Sequence, residues 1–600
     1  MHAPRARPRA YLRSRPAIWL VLSQVWLLAL LCWAAPARAL DWSTLAQPAG
    51  TFVGDTANPS GVYAPATINT VLGGTPPFDS GTSVTLIRLT GTQQFVRFYN
   101  PTDFANPSNA VGSWMMRASE VRGLTAAQIR DKFALPALPT NMVQVLVPTG
   151  YALYTGIAAP IAGWGDGGGL QNRLMANKPP SGDIAADPWL AAGNYVNAQA
   201  LSGAAVLSYR APASGSRSAS SVGAYMDDLA PRAGSDLEGV YNALDTLVFA
   251  GGQASVGQAM EQFSPVRFDA LNAVSLRTGA LLGGSLDARS SALAQGDGTV
   301  AEPVLLASAG GLETLRGILP RRAGDWSLWT RATGEYVRDH TSGSAPYASG
   351  TAALHLGADR PLGQGWTAGL ALGLARTLLD WEQDGGDAVT TTASLAGYAF
   401  WTGGEWFADG ELGLDAGYTE ARRRIRTSVA DRVARSDQTG EGGSLRLRTG
   451  RRLALDGEWT LVPALELGYA LHRQNPFREN GAGDLGLDVR AATAQTLVTG
   501  AEMGAVRRTD QGPGASLVAE ARIGWRRETP LDSRVQRAAF NGYSLGFQAY
   551  GDDEPRDSLT LGAGLAHRDA DGLSRFARYS GTLRQGFQAH SLELGLRWAF

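Results

Sequence analysis

The last ten residues, Ser591 to Phe600, read SLELGLRWAF. Leu592, Leu594, Leu596, Trp598 and Phe600 take every second position, with Ser591, Glu593, Gly595, Arg597 and Ala599 between them. This is the two-residue period of a strand with one oily and one polar face. Alone, it also suits the edge strand of a soluble enzyme, but the alternation recurs upstream through roughly 280 residues. Ala368, Leu370, Leu372 and Leu374 alternate with Gly369, Ala371, Gly373 and Ala375; Leu461, Leu465, Leu467, Tyr469 and Leu471 oppose Glu466 and Gly468. Trp401, Trp406, Trp459 and Trp525 stand at the ends of runs, where interfacial aromatic girdles lie. One lipid-facing and one lumen-facing row per strand suit a closed membrane barrel, because closure leaves no backbone group unpaired in hydrocarbon. Twelve runs follow Trp326, among them Trp406–Tyr418 and Leu445–Leu455, and Phe540–Tyr550 is read as a loop or strand extension because barrel strand numbers are even.

The composition agrees. Charged residues make up 18% and Gly 74 of 600, as suits β structure facing lipid. At the other end, Arg5, Arg7, Arg9, Arg13 and Arg15 precede a largely apolar run from Ala17 to Ala34, and Ala37-Arg38-Ala39 fits a cleavage site. A signal peptide over 1–39 follows, with an uncleaved helical anchor as the alternative. Removing its six Arg leaves 47 basic against 54 acidic residues, a net charge of −7 that disfavours a nucleic-acid partner. The single cysteine, Cys32, lies inside the leader, so the mature chain carries no thiol and stays free of cross-links in an oxidising compartment.

From Leu40 to Ser235 the chain shows Pro-rich turns and short β-like runs at Val84–Leu89, Phe95–Tyr99 and Met142–Val147. Thr125 and Gln128 form a capping box for a helix that Pro136 stops. No repeat of 20 to 30 residues is present, so a compact α+β domain is expected over 40–235 rather than a solenoid. Ala211–Val222 reads as a flexible linker. Helical spacing then places Leu237, Val240, Leu244 and Leu247 on one face, and Ser264-Pro265 starts a second helix through Phe268, Leu271, Val274 and Leu281.

The histidines are His2, His340, His355, His472, His567 and His590, so residues 40–322 hold neither His nor Cys. They cannot build a Ser-His-Asp or Cys-His pair or a His/Cys zinc site, and no metal or cofactor is expected. Gly542-Tyr543-Ser544-Leu545-Gly546 matches a nucleophile elbow in letters only, since no helical pattern follows it. Arg422-Arg423-Arg424-Ile425-Arg426 reads as a polar loop with a solvated or lumen-lining face.

The terminal strand with its aromatic carboxylate resembles the barrel-assembly signal of autotransporters: Leu592, Leu594, Leu596, Trp598 and Phe600. Met260–Arg289 resembles the linker preceding their barrels, where helical chain lies within the pore; an amphipathic helix packed on the preceding domain is the alternative. The resemblance implies Sec and barrel-assembly machinery, outer-membrane lipid around the barrel, and an exported passenger displayed at the cell surface or secreted. The chain then reads as a β-rich multidomain protein. It comprises a signal peptide (1–39), a compact α+β passenger (40–235), a helical linker (236–322) and a twelve-stranded antiparallel transmembrane β-barrel (323–600).

Gly156–Gln171, GIAAPIAGWGDGGGLQ, is the sharpest feature of the passenger. Gly167, Gly168 and Gly169 can bring backbone N–H groups close to phosphates, and Arg117, Arg122 or Arg130 would add positive charge. With Ala134-Leu135-Pro136 and Val143–Val147, this segment resembles the core of necrotizing-toxin NAD glycohydrolases over about 60 residues. The resemblance implies a glycosidic-bond role for Gln171, but those enzymes also use a histidine that this passenger lacks. Three readings remain: a surface binding or adhesion module meeting a host surface, an effector cleaving a NAD-like ligand, and a non-secreting pore with a periplasmic domain.

Overall fold

The computed structural model describes residues 48–294 and 327–598, apart from segments at 55–57, 104, 106–107, 176–189, 233, 342–344, 457, 513–514, 552–553 and 569–572. Phe600 of the assembly signal and the signal peptide lie outside the described residues.

The alternation of the C-terminal half becomes β10 (Ser327–Asp339), β11 (Tyr347–Gly363), β12 (Trp366–Trp381), β13 (Gly386–Gly403), β14 (Trp406–Arg426), β15 (Asp431–Arg451) with its short continuation β16 (Leu453–Asp456), β17 (Trp459–Gln474), β20 (Ala492–Asp510), β21 (Ser516–Pro530), β24 (Arg556–Arg568), β25 (Leu573–Arg584) and β26 (Phe587–Trp598). Each pairs antiparallel with its neighbour, and β10 closes on β26 in a register running from Ala332↔Leu594 to Asp339↔Phe587. The result is a closed twelve-stranded barrel. Leu372 is 58% exposed whereas its neighbour Ala371 is 1% exposed, so the Leu row faces outward and the small residues face the lumen.

One end of the barrel carries tight connections, such as Gln364-Gly365 between β11 and β12 and Gly404-Glu405 between β13 and β14. Trp366, Trp401, Trp406 and Trp459 gather there. The other end carries the long connections 475–491 and 531–555. Barrels of this type keep short turns on the periplasmic side and long loops outside, so the long-loop end is the outer one. In those loops β18 (Phe477–Arg478), β19 (Leu487–Val489), β22 (Val535–Phe540) and β23 (Phe547–Tyr550) form a separate four-stranded sheet. Phe540–Tyr550, read from the sequence as a loop or strand extension, holds the turn and second strand of the β22–β23 hairpin, and the Gly542–Gly546 decoy lies in that turn.

The N-terminal domain is a nine-stranded antiparallel sheet in the order β1-β3-β7-β8-β5-β4-β6-β9, with β2 paired to β3. Its strands are β1 (Gly50–Phe52), β2 (Val62–Tyr63), β3 (Val84–Leu89), β4 (Gln93–Tyr99), β5 (Trp114–Met116), β6 (Asn141–Val147), β7 (Ala152–Ile157), β8 (Leu170–Leu174) and β9 (Tyr195–Ala200). Short helices α1 (Pro65–Leu72), α2 (Ala118–Val121) and α3 (Ala126–Lys132) flank it. The Thr125–Gln128 capping box forms as the sequence predicts. Phe95, Met115, Val145, Leu153 and Leu174 build one fully buried cluster.

Three helices follow: α4 (Arg217–Asp228), α5 (Asp236–Phe249) and α6 (Gln253–Phe263). Two expectations are corrected here. Residues 211–222 are no flexible linker: α4 begins at Arg217, Ser216 caps it by accepting from Ala219 N, and the Ser218 and Ser221 hydroxyls are hydrogen-bonded as well. Arg422–Arg426 is no loop but the outer end of β14, where Arg423 is buried and binds Glu479 through two hydrogen bonds of 2.8 and 2.6 Å. The sixth strand likewise begins at Asp431, well before Leu445, because its outer half alternates charged and small polar residues instead of oily ones.

Candidate functional site

Helix α7 (Arg267–Ala294) runs down the barrel lumen. Its 28 residues span about 42 Å, enough to cross a hydrocarbon core of about 30 Å. The lumen is polar, and α7 answers it with paired charges. Arg289 Nε and Nη2 donate to Asp359 at 2.9 and 3.0 Å, both residues being almost wholly buried. Arg277 binds Glu335 of β10 through two bonds of 2.8 Å, and Ser591 Oγ of β26 donates to the same carboxylate. Asp287 pairs with Arg446 of β15, Ser285 Oγ lies 2.7 Å from His355 Nδ1, and Ser290 Oγ donates to Asp409. Near the inner end Leu282 and Leu286 pack on Trp329, Tyr398 and Phe400. Buried ion pairs of this kind fix position more than they add stability, because each charge loses its water.

At the outer end α4 to α6 lie between the loop sheet and the N-terminal domain. Tyr225 of α4 packs on Phe547 and Phe540 at centroid separations of 5.0 and 5.6 Å, and Phe263 meets Phe540 edge-on at 6.2 Å. Ser218 and Ser221 Oγ accept from the backbone N of Tyr550 and Gln548, groups on the open edge of β23. Asp236 pairs with Arg432 of β15, which holds its carboxyl below the usual range, and Leu237 N donates to Asp484.

Residues 328–580 match the family model of the autotransporter β-domain. The C-terminal barrel is an autotransporter β-domain. It sits in the outer membrane. The chain resembles BrkA of Bordetella pertussis, 28% identical over 280 residues, which are 46% of this chain and 26% of that protein. It also resembles an uncharacterised protein from the trpE-trpG intergenic region of Pseudomonas putida, 29% identical over 153 residues, or 24% of this chain and 26% of that one. The chain thus spans about a quarter of the length of the curated relatives it matches. Among solved structures, the NalP translocator domain of Neisseria meningitidis aligns over 48% of this chain and 94% of its own, with a TM-score of 0.37 and 20% identity. The BrkA β-domain aligns over 46% and 100%, with a TM-score of 0.35 and 23% identity.

In the passenger the residues singled out for ligand binding do not converge. Arg117 is buried in an ion pair with Glu238 of α5 and donates to Gln93 Oε1 at 2.8 Å; burial lowers its guanidinium to about 10. Arg122 donates to Asp245 of α5 at 2.9 Å and is sandwiched between the rings of Tyr209 and Tyr241, 4.8 and 4.5 Å from their centroids. Burial opposes its charge, but Asp245 outweighs that and holds the guanidinium above its usual range. Both arginines therefore join the sheet domain to α5. Arg130 donates to Gly163 O at 2.6 Å, at the tip of the Gly-rich hairpin.

The hairpin is folded onto α3. Gly167 N donates to Asp131 O, Gly168 N to Ala158 O and Gly169 N to Lys132 O, all within 2.9 to 3.0 Å. The N–H groups that a phosphate cradle requires are thus engaged within the protein. Gln171 is the second residue of β8, opposite Gly156 and 6% exposed, with Nε2 donating to Pro77 O at 2.8 Å.

Sequence reasoning missed the charged residues of α5 and α7 that anchor the two halves: Glu238, Asp245, Arg277, Asp287 and Arg289. A signal was present, since acids and arginines interrupting a helix otherwise rich in Ala, Gly and Leu need partners in a polar surround.

Proposed function

We propose that the barrel exports its own N-terminal domain and then holds it on the outer face as a surface binding or adhesion module. The supporting observation is α7 in the lumen, leading directly into α4–α6 and the sheet domain on the long-loop side. A passenger of about 200 residues has a radius of gyration of about 16 Å when folded. Twelve strands enclose a lumen nearer the side-chain-filled barrels than the open porins, so the passenger crosses unfolded and folds outside. Protease treatment of intact cells tests display: residues 48–263 should be digested while the barrel is spared. Digestion only after the outer membrane is breached would instead indicate a periplasmic domain. Removal of Trp598–Phe600 should abolish both barrel and display.

A second reading is supported by one feature, the strand–hairpin–strand around Gly156–Gln171. On this reading the passenger cleaves a NAD-like nucleotide, with Gln171 near the glycosidic bond. The purified full-length protein is incubated with NAD beside the Gln171→Ala variant. Turnover lost in the variant supports an effector enzyme, and absence of turnover retires this reading.

A further inference from the structure

Helix α7 does not fill the lumen. The face carrying Ala270, Ala273, Ala280 and Gly284 is too thin to reach the opposite wall, and a cavity of about 350 Å³ remains between it and a wall built from β10, β15, β17, β20, β21 and β24–β26. Charged side chains line that wall, among them Glu502, Glu520, Arg522 and Arg578. Thr333 also faces this space, 9% exposed, and its Oγ1 has no hydrogen-bond partner among the described residues. A polar void of this size has room for roughly ten waters at about 30 Å³ each. A second cavity of about 210 Å³ shares Arg448, Glu502, Glu520 and Arg522 with the first and continues to Glu458 and Arg508, which are exposed at the short-turn end.

The outer end differs. Arg534 Nε lies 3.2 Å from Asp269 Oδ1, both side chains being nearly covered, and Tyr347 and Phe587 are buried beside them. Gly551 follows β23 and abuts Asp269 so closely that a Cβ there would strike the carboxylate. Gly551 N also donates to Arg534 O at 3.1 Å.

We propose that a water-filled passage for small ions runs beside α7 from the periplasmic end, and that the barrel is sealed by an outer floor of Asp269, Tyr347, Arg534 and Phe587 resting on Gly551. The helix narrows the lumen, and the floor closes it. Fixed charges of both signs admit small hydrated ions and exclude larger solutes by size.

The test is conductance of the full-length protein in planar bilayers in potassium chloride, with barrel folding checked by heat-modifiable gel mobility. The native protein should be silent. Gly551→Leu, which wedges the floor, and the milder Arg534→Ala should both produce discrete current steps. Adding Gly284→Trp to either should remove the steps by filling the space beside the helix. Native protein that conducts as the opened variants do, opened variants that stay silent, or steps that survive Gly284→Trp would each overturn the proposal. Should Gly551→Leu fail to fold, a Thr333→Cys variant in a Cys32→Ser background gives an independent readout. Its thiol should react with a small quaternary-ammonium methanethiosulfonate applied from the periplasmic face and resist the reagent applied outside. Lack of reaction from the periplasmic face would also overturn the passage.

Discussion

The barrel strands bury one row in two, the polar one, whereas the central passenger strands are buried on both faces with the oily residues in the core. In the passenger, Val145, Leu153 and Leu174 are fully covered; in the barrel, Leu370, Leu372 and Leu374 are about 60% exposed while His355, Asp359 and Arg331 are buried. Strand periodicity in the barrel therefore specifies two faces and leaves open which one is the core. The solvent decides, since lipid takes the oily row outside and leaves the charged row to pair within.

The contrast can be broken most strongly inside the barrel. Asp359→Ala removes the carboxylate that takes two hydrogen bonds from the buried Arg289 and should cost about 3 to 5 kcal/mol. Replacing both residues by Leu should recover most of that loss, as seen by urea unfolding followed through gel mobility. An arginine on the oily row separates the halves: Leu372→Arg should destabilise the barrel by about 2 to 4 kcal/mol if Leu372 lies near the bilayer midplane. Leu153→Arg should unfold the passenger sheet and leave barrel mobility unchanged.

Between the halves, Phe540→Ala removes a ring from the aromatic cluster under α4 and should cost about 3 kcal/mol. The loss should appear as faster proteolysis within residues 217–263 and not within the barrel. The smallest effect belongs to Asp236–Arg432. The folded pKa of Asp236 is depressed, so its contribution is complete above the unfolded value near about 3.9 and fades as pH falls through the lower folded value. Hydrogen exchange in the first turn of α5 should thus rise slightly below about pH 4 in the native protein, and Asp236→Asn should remove that pH step.

Much of the barrel was legible because lipid contact is written locally, residue by residue, in rows such as Leu370 to Leu374. Its outer margins were not: Arg422–Arg426 and the first half of β15 continue strands in which both rows are polar, so period two leaves no hydrophobic trace. The serine-rich stretch at 216–221 misled for a related reason, because a hydroxyl that suits a flexible tether also suits a helix lying against an open strand edge. Arg117 and Arg122 invite a phosphate by charge alone. Their partners Glu238 and Asp245 stand more than a hundred positions away, and that pairing exists only in three dimensions. The Gly-rich hairpin was legible as a close approach of backbone, but what it approaches is α3.

The two hydroxyls that Ser218 and Ser221 set against β23 matter beyond this one molecule. In any membrane holding several copies, each presents the same loops to its neighbours. A strand with free amide groups on that crowded plane is an invitation to knit copies together through the backbone. By answering those amides from within its own chain, the protein removes one strand edge through which neighbouring copies could pair.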